Sequence, residues 1–129
     1  MQLSEPAQRT IRAFRVADHN SKPTLTRIPE PSPAKGEVLV AIHACALNFA
    51  DLLMAKGTYQ DTPPLPFTLG LEVAGEVLAH GPDTKGPPIG SRIAVFAGQG
   101  GLAETGVFPA DRAVVLPDIM SFEQAAAFQ

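Results

Sequence analysis

Residues 36–57 read GEVLVAIHACALNFADLLMAKG, a pattern that predicts a long strand followed at once by a short helix. Over residues 37–46 apolar side chains occupy both alternating rows, with Val38 and Val40 on one row and Leu39 on the other. We therefore expect both faces of this strand to be buried. The second row continues through His43 and Cys45, which we expect to be packed as well.

A helix is predicted at residues 48–55 by signals at both of its ends. Asn48 is a preferred N-cap residue, and Asp51 follows three residues later in the style of a capping box. Gly57 can adopt the left-handed conformation that often ends a helix.

Short elements are predicted throughout the rest of the chain. Thirteen prolines and eleven glycines among 129 residues favour strands joined by tight turns over long helices. Further strands are predicted at residues 9–16, 24–28, 72–79, 92–96, 103–108 and 113–116, whereas residues 62–66 form a proline-rich loop. The fold class that follows is mainly β, a small, partly open β-barrel with short helices.

The two ends of the chain carry different signals. Residues 1–9 are mostly polar and are expected to form a flexible tail. Near the other end, Ser121 and Gln124 form a capping box, and Met120 can pack against Ala125, so a helix starts here. The chain ends at Gln129 without a terminating glycine, which favours a division into a domain at 10–120 and the start of a linking helix at 121–129.

Charge and hydropathy exclude several function classes. The net charge is −3 and no stretch is basic, so neither nucleic acid nor an anionic membrane is an expected partner. No apolar run approaches the length of a membrane span, and the first nine residues lack the apolar core of a signal peptide. Cys45 is the single cysteine, so no internal disulfide is possible. A cytoplasmic protein is the expectation.

A dinucleotide-binding motif is present in letters but not in context. Gly98, Gly100 and Ala103 spell G-x-G-x-x-A, and Asp118 lies twenty residues after Gly98. Residues 102–108 are too few before Pro109 to form the crossover helix that such a motif needs. We interpret this segment as a tight turn between two strands.

Metal ligands are available but do not have metal-site spacing. His19, His43, His80 and Cys45 include no pair at zinc-type spacing, so we expect no metal site. No base lies near Cys45 in sequence, which favours a buried, unreactive thiol.

Several ordered motifs resemble one known family. The quinone oxidoreductase (zeta-crystallin-like) branch of the medium-chain dehydrogenases/reductases is similar at residues 36–40 (GEVLV), 47–51 (LNFAD), 56–59 (KGTY), 65–67 (LPF) and 70–75 (GLEVAG). The likeness continues at residues 90–93 (GSRI), 101–104 (GLAE), 115–117 (VLP) and 121–127 (SFEQAAA). It departs at Ser91, where the family usually has Asp, and at Leu71, where it usually has Phe.

The resemblance implies a domain arrangement and a cofactor. In this family a GroES-like barrel carries the substrate, and a Rossmann domain further along carries NADPH, or NADH. This sequence contains only the first, so we expect it to be a fragment with little activity alone, from a homodimeric parent. Phe122 and Phe128 on the last helix are then expected to be exposed, because they would contact the missing domain.

The resemblance also implies chemistry without zinc. Zinc-dependent relatives have Cys at the position of Asn48 and Gly-His-Glu where this chain has Gly70, Leu71 and Glu72. Without a Lewis acid, the expected substrates are quinones or α,β-unsaturated carbonyls, which accept hydride directly from reduced nicotinamide.

The candidate catalytic residues are Asn48 and Tyr59. Asn48 resembles the position that faces the nicotinamide, which makes it the candidate for cofactor contact. Related enoyl-thioester reductases have a catalytic Tyr eleven residues after an Asn, a spacing kept here. A tyrosine hydroxyl is protonated at pH 7 and can donate to a substrate carbonyl. The residue pattern alone favours the simpler interpretation, in which Asn48 and Asp51 are helix-cap residues and Tyr59 is a loop aromatic that covers apolar surface.

Two function hypotheses remain at this stage. The chain is either the N-terminal part of an NADPH-dependent, zinc-free oxidoreductase or a stand-alone GroES-like binding module without redox activity.

Overall fold

The structure, a computed structural model, describes residues 9–128. Strands dominate, and in chain order the elements are β1 (Thr10–Val16), β2 (Thr24–Pro29), β3 (Glu37–Ala46), α1 (Phe49–Ala55), β4 (Phe67–Thr68), β5 (Glu72–His80), β6 (Arg92–Phe96), β7 (Thr105–Pro109), a 3₁₀ turn (Ala110–Arg112), β8 (Val114–Val115) and α2 (Phe122–Phe128). Within residues 9–128, no helix is long and apolar enough to cross a membrane.

The strands form two antiparallel sheets. The first has the order β2-β1-β4 and the second has the order β7-β3-β5-β6-β8. An isolated bridge between Ala13 and Ala103 and a hydrogen bond from the Phe14 N–H to the Leu102 carbonyl (2.8 Å) connect β1 to the segment before β7. This arrangement confirms the predicted mainly β, partly open fold, which is not a closed barrel.

The main core lies on β3 and its neighbours. Its buried members are Val38, Val40, Val73, Val77, Ile93, Val95, Phe108 and Ala110. A second cluster, between the first sheet and α1, contains Val16, Met54, Phe67, Leu69 and Leu71. A third, under α2, contains Ala74, Ala94, Leu116, Ala125 and Ala126. The clusters hold both helices against the strands that flank them.

The predicted burial of both faces of β3 is correct only for its first part. Val38 and Val40 are fully buried, but His43 is exposed. Pairing with β5 shifts register between Ile42 and Ala44, so His43 is the extra residue of a bulge, and such a residue is turned out of the ladder. Its ring stacks on Phe122 at a centroid distance of 4.2 Å.

Both predicted helix starts are confirmed. Helix α1 begins after Asn48, whose backbone N–H donates to Asp51 Oδ2 (2.9 Å), and Gly57 has a φ of +75° after its last turn. At α2 the Ser121 N–H donates to Gln124 Oε1 (2.9 Å), and the Gln124 N–H donates to Ser121 Oγ (3.1 Å).

Other boundaries differ from the sequence predictions. The predicted strand 103–108 starts only at Thr105, because Leu102 and Glu104 bond to β1 and β3 from an irregular segment. The predicted strand 113–116 is reduced to Val114–Val115, and strand β4 was not predicted. The rejection of the G-x-G-x-x-A motif is confirmed, because a loop and then β7, rather than a helix, follow Gly98.

Two further predictions concern the exposure of Phe122 and Phe128 and the tail at residues 1–9. Phe128 is 82 % exposed, as expected. Phe122 is half-buried, which corrects the expectation of exposure: it stacks on His43, and the Arg92 guanidinium lies 4.6 Å from its ring centroid. The predicted tail, residues 1–9, lies outside the described residues except for Arg9, which pairs with Glu30 (3.4 Å).

Candidate functional site

The side chains of Asn48 and Glu72 meet where β3 passes into α1. The register of β3 and β5 places Ala46 opposite Glu72, two residues before Asn48. Asn48 Nδ2 donates to Glu72 Oε2 (3.2 Å) and to the Ala46 carbonyl (3.4 Å). Glu72 is 8 % exposed, and a carboxylate at that depth needs such a donor. The pair therefore fixes the orientation of the Asn48 carboxamide.

Asp51 ties the start of α1 to the segment that precedes β5. Its side chain is buried, at 5 % exposure. Oδ2 accepts the Asn48 backbone N–H (2.9 Å), and Oδ1 accepts the Gly70 backbone N–H (3.0 Å). Charge-assisted bonds to backbone donors are among the stronger ones in proteins. Asp51 thus links the backbone of Asn48 to that of Gly70, in the segment that leads into β5 and Glu72.

Exposed apolar side chains lie close to Asn48 in the sequence, on both sides of it. Leu47 is 76 % exposed, Phe49 73 % and Leu52 60 %. We call Leu47, Asn48, Phe49 and Leu52 the Asn48 face. An exposed apolar group with one oriented polar side chain is typical of a surface that another molecule or domain covers.

Tyr59 lies beyond the other end of α1. Asn48 is the N-cap of the seven-residue helix, whereas Tyr59 lies in the turn that follows its C-terminal end. The ring is half-buried against the cluster that includes Met54 and Phe67. The Tyr59 carbonyl accepts the Thr62 N–H (3.1 Å), which fixes the turn. Within residues 9–128, no hydrogen bond joins Asn48 and Tyr59, so the structure does not unite the two candidates directly.

The role of Glu72 was missed at the level of sequence, where the residue appeared only as part of a motif. A carboxylate directly before the apolar residues 73–75 is a signal that could have found it, because such a group requires a hydrogen-bond partner when buried. The partner itself follows from the pairing of β3 with β5.

Comparison with known proteins identifies the fold family. The alcohol dehydrogenase GroES-like domain model matches residues 34–118. The chain belongs to this family. Among solved structures, the human synaptic vesicle membrane protein VAT-1 homolog-like protein superposes with a TM-score of 0.85 and 36 % identity, over 93 % of this chain and 40 % of that one. The Thermus thermophilus quinone oxidoreductase, solved also as a complex with NADPH, has a TM-score of 0.77 and 37 % identity, over 91 % of this chain and 36 % of that one.

Sequence relatives agree with this assignment. A quinone oxidoreductase-like protein 2 homolog of Nematostella vectensis is 44 % identical over 92 residues, which are 70 % of this chain and 25 % of the relative. The synaptic vesicle membrane protein VAT-1 homolog of Rattus norvegicus is 40 % identical over 97 residues, 75 % of this chain and 24 % of the relative. The GroES-like domain described here thus spans about a quarter of the length of these relatives, which belong to the medium-chain dehydrogenase/reductase family.

The single thiol of this GroES-like domain, that of Cys45, lies near the end of β3, three residues before Asn48. Cys45 Sγ fills the space between Gly70 and Gly101, where an added Cβ would approach the sulfur to 2.8 Å and 2.7 Å respectively. Burial, and next the negative charge of Asp51, raise the pKa of the Cys45 thiol from 9.0 to about 11. The side chain is half-buried, which corrects the prediction of a buried thiol. A thiol with a raised pKa is still a poor nucleophile, because the thiolate is the reactive form.

We expect Cys45 of the folded domain to react with iodoacetamide about 100-fold more slowly at pH 8 than an ordinary thiol, since its thiolate fraction is that much smaller. The rate should rise up to pH 11 instead of levelling near 9. Because the folded-state pKa is raised, the thiol's contribution to stability is complete below pH 9 and is lost between pH 9 and 11. The control is the same chain unfolded in urea. Fast labelling of the folded domain with a midpoint near pH 9 would contradict the burial.

The histidines of the domain are engaged separately. His19 Nδ1 lies 3.3 Å from the Ala55 carbonyl and His80 Nε2 lies 2.6 Å from the Pro87 carbonyl, whereas His43 stacks on Phe122. In the part of the chain that the structure describes, no group of three or more His, Cys, Asp or Glu side chains is arranged to hold a metal ion.

Proposed function

We propose that this chain forms the substrate side of an NADPH-dependent, zinc-free oxidoreductase that reduces quinones or α,β-unsaturated carbonyls by hydride transfer. Its relatives include quinone oxidoreductase-like proteins, and one similar structure was solved with NADPH. The observation that carries the proposal is the Asn48 carboxamide, which buried Glu72 orients and which has exposed apolar neighbours in the sequence. The proposed protein is cytoplasmic and homodimeric.

The proposal divides the work between this chain and a nucleotide-binding domain. Residues 10–120 form the substrate-side domain, and the linking helix begins at residue 121. NADPH is held mainly by the second domain, in keeping with the quarter of its relatives' length that this chain spans. The residues present fit a nicotinamide ring in their chemistry, because Asn48 offers a carboxamide and its sequence neighbours Leu47 and Phe49 offer exposed apolar surface.

When bound, NADPH supplies the hydride, and the chain's own residues orient the acceptor. Asn48 presents its carboxamide to the ring and the substrate, with its Nδ2 group held by Glu72 and by the Ala46 carbonyl. Tyr59 donates its hydroxyl proton in a hydrogen bond to the substrate carbonyl, stabilising the negative charge that develops on that oxygen. Leu47, Phe49 and Leu52 exclude water once the facing domain covers them.

Zinc chemistry is disfavoured by the identity of the residues at the site. An uncharged carboxamide at Asn48 and an aliphatic side chain at Leu71 stand where zinc-dependent relatives have ligands, and neither is a zinc ligand. Leu71 is buried in the cluster with Met54 and Phe67. The acceptor must therefore take hydride without a Lewis acid, as quinones and activated alkenes do.

The test is a chimera in which residues 10–121 replace the matching segment of the Thermus thermophilus quinone oxidoreductase. We expect the chimera to oxidise NADPH in the presence of a quinone and, more slowly, of an enone, whereas the 129-residue chain alone has little activity. A matched chimera with Asn48→Ala should retain NADPH affinity in the facing domain and lose turnover. Its unfolding midpoint is measured alongside, because the change also leaves the buried Glu72 carboxylate without the Asn48 donor.

A folded chimera that binds NADPH but reduces neither acceptor contradicts the proposal. That result favours the alternative, a GroES-like binding module without redox activity. Near-stoichiometric zinc in the purified chimera, lost on mutation of Cys45 or Glu72, contradicts the zinc-free part of the proposal.

A further inference from the structure

An arginine occupies the inward-facing row of strand β1. Ile11 and Ala13 on this row are 2 % and 0 % exposed, whereas Arg12 on the opposite row is exposed. Because side chains alternate along a strand, Arg15 continues the row of Ile11 and Ala13. Its guanidinium is therefore directed to the space between the two sheets, where an apolar side chain is the usual occupant.

That space contains a cavity of about 460 Å³, which Arg15 lines. Residues of both sheets and of the glycine-rich loop after β6 contribute to its wall. Its accessible apolar wall includes Ile28, Pro31, Pro66 and Val107, whereas Ile11, Phe67 and Phe108 are buried behind it. A concave apolar site with a small number of polar groups is the usual form of a small-molecule site.

The positive charge of Arg15 has no carboxylate partner in the described chain. Within residues 9–128 the ion pairs are Arg9–Glu30 and Arg12–Glu104. Arg15 Nη1 donates to Thr68 Oγ1 (3.1 Å), which uses one of the five guanidinium N–H donors. The one carboxylate in the cavity wall, Glu37, is engaged by the Ala34 backbone N–H (2.9 Å).

We infer that this cavity binds a small monocarboxylate with an apolar body, such as an aromatic acid. A guanidinium pairs with a carboxylate through two parallel hydrogen bonds, and this geometry selects a planar anion. The apolar wall accepts the rest of the molecule. Neither Asn48 nor Tyr59 lines the cavity, so the site goes beyond the proposed hydride-transfer function and does not depend on it.

The test is a chemical-shift titration of the 129-residue chain with benzoate. We expect saturable shifts at the amides of Thr68, Gly100 and Thr105, which line the cavity. Benzamide, the neutral analogue, should bind at least about 10-fold more weakly, because it lacks the charge that a guanidinium pairs with. Inorganic phosphate, which has charge without an apolar body, should also bind at least about 10-fold more weakly than benzoate.

A matched pair of variants assigns the effect to one arginine. Arg15→Gln should weaken benzoate binding at least about 10-fold, whereas Arg12→Gln, on the exposed row of the same strand, should change it less than about 2-fold. Arg15→Lys keeps the charge but loses the planar pair of donors that can bind both oxygens of a carboxylate. It should therefore give an intermediate affinity. If Arg15→Gln does not fold, the Arg15→Lys result and the benzoate-to-benzamide ratio decide.

The inference is overturned by any of three results. These are equal binding of benzoate and benzamide, phosphate binding as tight as benzoate binding, or shifts confined to residues outside the cavity. Equal effects of Arg12→Gln and Arg15→Gln overturn it as well. Such a result would mean that benzoate responds to the overall positive charge of the surface and not to Arg15 in the cavity.

Discussion

Gly70→Ala is expected to lower the free energy of unfolding by about 3–5 kcal/mol, through backbone strain and overpacking together. Gly70 has a φ of +109°, a conformation that L side chains rarely adopt. A Cβ there would lie 2.5 Å from the Leu102 backbone nitrogen and 2.8 Å from Cys45 Sγ. Its backbone N–H is also the donor to Asp51 Oδ1, so a shift of Gly70 disturbs the anchor of the Asn48 site.

Gly90→Ala is the matched control for this effect. Gly90 has a φ of +90°, but an added Cβ would meet nothing within 4 Å. Only the strain remains, and we expect a loss of about 1–2 kcal/mol. Urea denaturation of the two variants beside the parent chain measures the difference. Equal losses would contradict the close contacts at Gly70, since the two positions share the strain and differ in the space around them.

The helices of this domain could be predicted because their signals are local. Asn48, Asp51 and Gly57 lie within one segment, and the capping bonds form between residues three apart. The same holds for Ser121 and Gln124 at the start of α2. Such signals act through backbone conformation and short-range hydrogen bonds, and the sequence displays both directly.

The sequence predictions were wrong where pairing between residues far apart in the chain determines the structure. Strand β4 has two residues, Phe67 and Thr68, and it exists because it pairs with Val16 and Arg15 more than fifty positions earlier. The exposure of His43 depends on a bulge, and the bulge is defined only by the register with β5. Alternation along the chain cannot reveal either feature, because a single shift of register exchanges the two faces.

The candidate site also has features that the sequence predicts and features that only the pairing of distant segments reveals. Asn48 was found from the sequence, but its bond to Glu72 depends on the pairing of strands separated by a loop and a helix. Tyr59 was proposed from family resemblance, and the packing of its ring against Met54 and Phe67 is what a purely structural role also produces. The pattern Ile11, Ala13, Arg15 was visible in the sequence, yet its meaning required the cavity between the sheets.

Tyr59→Phe, introduced into the active chimera, is expected to lower kcat for an enone by about 100-fold, or about 3 kcal/mol, the usual cost of one oxyanion-type donor. The ring remains, so its contacts with Met54 and Phe67 are kept and the unfolding midpoint should hardly change. NADPH affinity should stay the same, because the proposed nucleotide contacts lie mainly in the facing domain. A loss in kcat without a loss of binding is the signature of an interaction made in the transition state.

Comparison of two acceptors separates the donor role of Tyr59 from a packing role. A readily reduced quinone needs less stabilisation of developing charge, so the loss for a quinone should be smaller than the loss for an enone. A packing defect would instead lower both rates alike and would lower the unfolding midpoint. Unchanged turnover of both acceptors would make Tyr59 a packing residue of the cluster beside α1. The catalytic proposal would then rest on the Asn48 face alone, with the substrate oxygen stabilised by a donor outside this chain.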